Sequence, residues 1–175
     1  MKISEDLYKE NLISSEVESY IQVVENILEN PGDSIMEMDN SIKKLEKEAE
    51  DDLSGDDSYQ FISYAETARA SLEFWNENYI KLQGLELGSN ARGAILDYWN
   101  QYKHKLGMMA ASDAAGAAAG AAIGIVVGGS MGIPPDIAAL AGATVCGSAS
   151  SIEGFKEDKV CVVIPLGKII EKMGE

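Results

Sequence analysis

Gly116, Gly120, Gly124, Gly128 and Gly132 occupy every fourth position of a stretch, Ala114 to Pro135, that holds no charged residue in 22. Positions four apart on an α-helix are offset by about 40°, so these glycines trace a slowly winding groove that a second backbone can approach closely. The groove carries a penalty. Each glycine in a helix interior costs roughly 0.8–1 kcal/mol relative to alanine, so the segment is a stable helix only if close packing offsets several kcal/mol. The nearest partner lies in the chain itself. Gly132-Ile133-Pro134-Pro135-Asp136 is a turn, since paired prolines deny a helix its amide donors. In the uncharged run 137–152 that follows, Ala138, Gly142, Cys146 and Ser150 again stand four apart. The sequence predicts an antiparallel helical hairpin over 108–154, with the glycine series and the Ala138/Gly142/Cys146/Ser150 series as its packing stripe.

Residues 1–107 predict a bundle of about four amphipathic helices. Over 4–29, Leu7, Ile13, Val17, Tyr20, Ile21, Val24, Ile27 and Leu28 fall on one helical face, and Asn30-Pro31-Gly32 stops it. Asp33 or Ser34 caps a second helix, with Glu37 at the spacing of a capping box. Its Ile35, Met38, Ile42, Leu45 and Ala49 form a narrow seam, and the turn formers of Asp51 to Asp57 end it. A third helix, about 58–83, aligns Phe61, Ala65, Ala68, Leu72, Trp75, Tyr79 and Leu82. A fourth, starting at Ser89 or Asn90, aligns Ala91, Ile95, Tyr98, Trp99, Tyr102 and Leu106. At this spacing Trp75 and Trp99 read as core anchors in preference to the lining of a ligand pocket. Val160 to Ile164 reads as a short strand or extended chain ended by Pro165. The expected fold is all-α: an acidic bundle over 1–107, the hairpin over 108–154, and a short extended C-terminal tail over 155–175, with one domain the default at 175 residues.

The charge pattern and the missing motifs narrow the chemistry. Of the net charge of −15, residues 1–57 carry −12. Such a surface repels phosphate backbones and the lysines form no stripe, so nucleic acid is not an expected partner. The Gly-x-x-x-Gly repeats are followed by no Lys-Ser/Thr and preceded by no strand, so no nucleotide is implied. His104 is the one histidine and sits between lysines on the exposed side of its helix, which leaves neither a triad nor a Glu-x-x-His metal pair. A calcium loop started at Asp52 would put Asp57 where glycine is required and Ser63 where the bidentate acid belongs. Cys146 and Cys161 lack CxxC spacing, so neither zinc nor a disulfide framework is indicated. The expectation is a non-catalytic protein with no cofactor. Met1 to Leu7 has no apolar run, so synthesis is expected to end in the cytoplasm without a signal peptide.

Whether the hairpin belongs in lipid or water is left open by its composition. As a helix, 108–132 would be about 37 Å long, enough for a hydrocarbon core of about 30 Å, while 137–152 would reach only about 24 Å. Ile123, Ile125, Val126 and Val127 favour insertion, Asp113 and Asp136 fall at the two ends of the first arm, and Lys103, Lys105, Lys156 and Lys159 flank the hairpin. The run Ala-Ala-Ser-Asp-Ala-Ala-Gly-Ala-Ala-Ala-Gly-Ala-Ala-Ile-Gly at 110–124, followed by the Gly/Pro turn and a second small-residue stretch, resembles the glycine-zipper segments of bacteriocin-like bacterial proteins. The likeness is confined to 110–152, and the chain has no Gly-Gly leader before a short mature peptide. The resemblance implies close helix packing, and membrane-active peptides are among the chains that carry such segments. Two readings follow. In one, the hairpin engages a lipid bilayer, at an inner membrane and with self-association through the stripe. In the other, the chain is a soluble interaction or structural protein whose hairpin is a tightly packed core. On spacing alone, a leucine at Gly124 should disturb either arrangement while a leucine at the off-stripe Ala117 should not.

Overall fold

The computed structural model describes residues 3–32, 34–53, 55–82 and 92–143. The fold is all-α, with six helices and no strand among the described residues. They are α1 (Ile3–Lys9), α2 (Ser15–Glu29), α3 (Ile35–Asp52), α4 (Asp56–Leu82), α5 (Arg92–Ser130) and α6 (135–143). The expected tail over 155–175, the strand at 160–164, and Cys146, Ser150 and Cys161 lie outside the described residues.

The single helix expected over 4–29 is two helices. Asn11 takes the left-handed conformation with φ 56 and ends α1. Leu12 N donates to Leu7 O at 3.0 Å and Asn11 N to Tyr8 O at 2.9 Å, the hydrogen-bond pair of a Schellman cap. Ser14 then starts α2 by accepting from Val17 N at 3.2 Å. The Leu7, Ile13, Val17 spacing fits an unbroken helix equally well, but the break turns Leu12 inward beside Leu7 and Ile13, and all three are buried. Glu25 of α2, itself buried, closes the other end of α1 by accepting from Ser4 N at 3.0 Å and from Ser4 Oγ at 2.8 Å. An amide of the first helical turn, which has no partner inside its own helix, is satisfied in this way.

Of the two expected caps for α3, Ser34 accepts from Glu37 N at 3.3 Å, and Asp33 lies outside the described residues. The turn after α3 is tighter than the acidic run suggested. The helix continues through Asp52, and α4 starts at Asp56 directly after Gly55, whose φ of 59 is reached there without a side-chain penalty. Arg69 ties the two helices, its Nε donating to Asp39 Oδ1 at 2.7 Å and its Nη1 to Glu46 Oε2 at 2.9 Å.

The apolar faces converge on one core. Val17, Ile21, Val24 and Leu28 of α2, Met38 and Ile42 of α3, Phe61, Ala65, Ala68 and Leu72 of α4, and Leu106 of α5 are buried, and so are Trp75 and Trp99. α4 is the central helix, in contact with α2, α3 and α5, and α5 also packs on α1 and α2. Three buried side-chain atoms have no hydrogen-bond partner among the described residues, Gln60 Oε1, Trp99 Nε1 and the hydroxyl of Tyr64, and of the three Tyr64 is the residue that is fully buried. Burial, reinforced by nearby Glu25, pushes its pKa well above the usual tyrosine value. An unpaired buried hydroxyl costs stability. Tyr64→Phe is therefore expected to raise the free energy of unfolding by about 1 kcal/mol, read from urea denaturation; a loss of that size would show that the hydroxyl is paired.

Candidate functional site

The feature that organises the site is the length of α5. The expected fourth helix and the first arm of the hairpin are one helix of 39 residues, roughly 58 Å long, and the change of composition at residues 107–108 is not a helix boundary. Lys103 and Lys105, expected to flank the hairpin at a membrane surface, stand on this helix some 25 residues before its tip.

The first part of the small-residue run is interior. Ala110, Ala111, Ala114, Ala115, Ala118 and Ala122 are buried in the same core as the bundle. Alanine suits this position because its small radius lets α5 lie close along α4. At Gly107 the approach is closer still. A methyl there would overlap the Leu28 carbonyl oxygen, with the Leu28 Cα at 3.5 Å, so the end of α2 crosses α5 backbone to backbone. Gly107 falls outside the four-residue series, and a lone helical glycine carried no sequence signal of this contact.

Asp113 is not at the end of a span. It is 6% exposed inside the bundle, where it accepts hydrogen bonds from Ser71 Oγ and, at 3.0 Å, from Trp75 Nε1 of α4. A buried carboxylate needs such donors, and they fix the rotation of α5 about its own axis. Residues Tyr102–Ser130 are long and apolar enough to cross a membrane, yet 72% of the most apolar part is buried within the fold.

Beyond Ala122 the helix leaves the core, and α6 packs back against it. Gly132, with φ 71, is the left-handed residue of a second Schellman cap, in which Ile133 N donates to Gly128 O at 2.8 Å and Gly132 N to Gly129 O at 3.3 Å. It serves the turn and has nothing beside it to pack against. Pro135 then opens α6, where a missing amide hydrogen is harmless.

Of the stripe, Gly120, Gly124, Gly128, Ala138 and Gly142 come together. A methyl at Gly124 would overlap the Ala138 carbonyl oxygen and lie 3.3 Å from the Gly142 Cα; one at Gly142 would overlap the Gly120 carbonyl oxygen and lie 3.1 Å from the Gly124 Cα. Gly128 faces the Ala138 side chain, and Gly116 is buried further back along α5. Ala117 belongs to this contact as well: it is fully buried in a cluster with Ala121, Ala139 and Ala143, so it is no neutral control for the stripe. Gly129, with open space where a methyl would go, is one.

The large side chains that the hairpin presents outward are apolar, beside the exposed Ser130 and Asp136. Val126 is 64% exposed, Met131 69%, Ile137 56% and Leu140 66%. Position 126 lies roughly 200° around the helix from 124 and from 128, and 140 lies roughly 200° from 138 and from 142. Since 124, 128, 138 and 142 face inward between the arms, Val126 and Leu140 project from opposite sides of the hairpin, with Met131 at its tip. Among the described residues no group of three His, Cys, Asp or Glu side chains is placed to hold a metal. Set against protein-family models, curated proteins and solved structures, the chain matches none, so the reading of this site rests on its own geometry.

Proposed function

We propose that this is a non-catalytic helical protein that associates with a bilayer through the tip of the α5–α6 hairpin, while the acidic bundle stays in water. One observation carries the reading: the tip is apolar on opposite sides, Val126 on one and Leu140 on the other, with Met131 between them. A docked protein covers one face, whereas acyl chains surround an inserted hairpin. Apolar side chains on opposite faces of one hairpin suit an environment that surrounds it, as lipid does. The tip also lacks Trp, Tyr and Arg, the anchors that dominate protein–protein contacts.

The same geometry limits the depth. From Ala122, the last α5 residue in the bundle core, to Ser130 is about 12 Å, against a hydrocarbon thickness of about 30 Å. Insertion is into one leaflet, unless Ala110–Ala122 and Asp113 leave the bundle. Burying the four exposed side chains contributes on the order of 1–2 kcal/mol each, which corresponds to reversible binding between millimolar and micromolar.

A second reading is a soluble interaction protein, and the burial of most of the apolar stretch of α5 favours it. Flotation with phosphatidylcholine vesicles separates the two. The expected result is that the wild-type chain floats, and that Met131→Glu, at an exposed turn position, lowers binding at least tenfold with an unchanged circular dichroism spectrum. A wild-type chain left at the bottom of the gradient, or a Met131→Glu chain that floats equally well, would overturn the membrane reading.

A further inference from the structure

The proposed bilayer contact implies a lipid class, and the inference rests on that reading: we infer that the tip selects electrically neutral, zwitterionic bilayers over anionic ones. Peripheral proteins that bind anionic lipid place lysines or arginines at the surface, and each such charge favours binding about fivefold. This hairpin has none. No Lys or Arg occurs from residue 106 to residue 155. Lys105 stands 26 residues before Met131, about 39 Å if measured along a helix, which is several times the screening length of about 10 Å at 0.1 M salt.

Among the described residues the one charge at the tip has the opposite sign. Asp136 is exposed in the first turn of α6, five residues after Met131, and the insertion that buries Met131 and Ile137 brings its carboxylate to the headgroup layer. An anionic headgroup repels it, and the net charge of −15 on the chain adds to the repulsion in the same direction. Phosphocholine headgroups carry no net charge and leave the apolar contact of Val126, Met131 and Ile137 unopposed.

Partition of the full-length chain is measured on vesicles of phosphatidylcholine alone and on vesicles with one-third phosphatidylglycerol, at low and at high salt. The wild type is expected to bind the neutral vesicles about fivefold or more tightly at low salt, with the gap closing as salt screens the charges. Asp136→Asn is expected to narrow the gap, and Asp136→Lys to close or invert it, each read as the ratio of neutral to anionic partition for the same variant. Equal or tighter wild-type binding to the anionic vesicles overturns the charge selection and leaves the tip contact standing. Binding to neither vesicle removes the tip contact and the selection together.

Discussion

Trp75→Ala is expected to lower the free energy of unfolding by roughly 3–5 kcal/mol, because it opens a cavity in the core and takes a donor from a buried carboxylate. The informative comparison is with phenylalanine. Trp75 and Trp99 are both buried, but Trp75 Nε1 donates to Asp113 whereas Trp99 Nε1 has no hydrogen-bond partner among the described residues. Trp75→Phe, which keeps most of the ring volume, should therefore still cost about 1.5–3 kcal/mol for the lost hydrogen bond to a charged group. Trp99→Phe should cost clearly less. Urea denaturation of the three variants measures both differences. Equal losses for the two phenylalanine variants would mean that the Trp75 bond to Asp113 contributes nothing to stability, leaving Ser71 as the donor that holds this carboxyl.

Gly124→Leu is expected to open the hairpin. A side chain at Gly124 meets backbone, the Ala138 carbonyl and the Gly142 Cα, and backbone cannot move aside as the end of a flexible side chain can. Overpacking of this kind costs about 3 kcal/mol or more, and even Gly124→Ala should destabilise, although alanine improves helix propensity by about 1 kcal/mol. Gly129→Ala has open space and should gain about 0.5 kcal/mol. The disturbed region spans two arms that need not report on the whole bundle, so the suitable measurement is amide hydrogen exchange across residues 117–143. Protection there should fall in both Gly124 variants and hold in Gly129→Ala. Matching exchange in all three would mean that the close approach of the arms contributes nothing to their stability.

Much of the fold was legible because amphipathic spacing reports directly on which side chains leave water. Phe61, Ala65, Ala68, Leu72 and Trp75 recur at steps of three and four and are buried together, and Ser34 caps α3 at the expected place. The errors fall where spacing is compatible with two backbones. Leu7, Ile13 and Val17 fit one helix, yet Asn11 ends α1 between them, since a left-handed cap with two satisfied carbonyls is as good locally as another turn of helix. The division between a fourth helix and a hairpin arm followed the change from aromatic to alanine-rich composition. Composition has no power to end a helix, and from Leu106 to Ser130 nothing breaks α5.

The candidate site divides in the same way. Within the chain's own letters lay a turn starting at Gly132, although Pro135 and Asp136 of the expected turn already belong to α6, together with the four-residue recurrence of small residues and the absence of any cation from 106 to 155. Each depends on local properties: proline's missing donor, glycine's missing side chain, a count of charges. What only the tertiary structure decided is which of these small residues face a neighbour, and which neighbour. Gly132 belongs to a cap, Gly107 meets the end of α2, Ala117 meets α6, and Asp113 lies under Ser71 and Trp75. The reason is physical. Alanine and glycine are equally content against a bundle, a hairpin partner or lipid, so their burial is set by where the larger side chains of α2 and α4 leave room; that room runs out past Ala122 and leaves the hairpin tip outside.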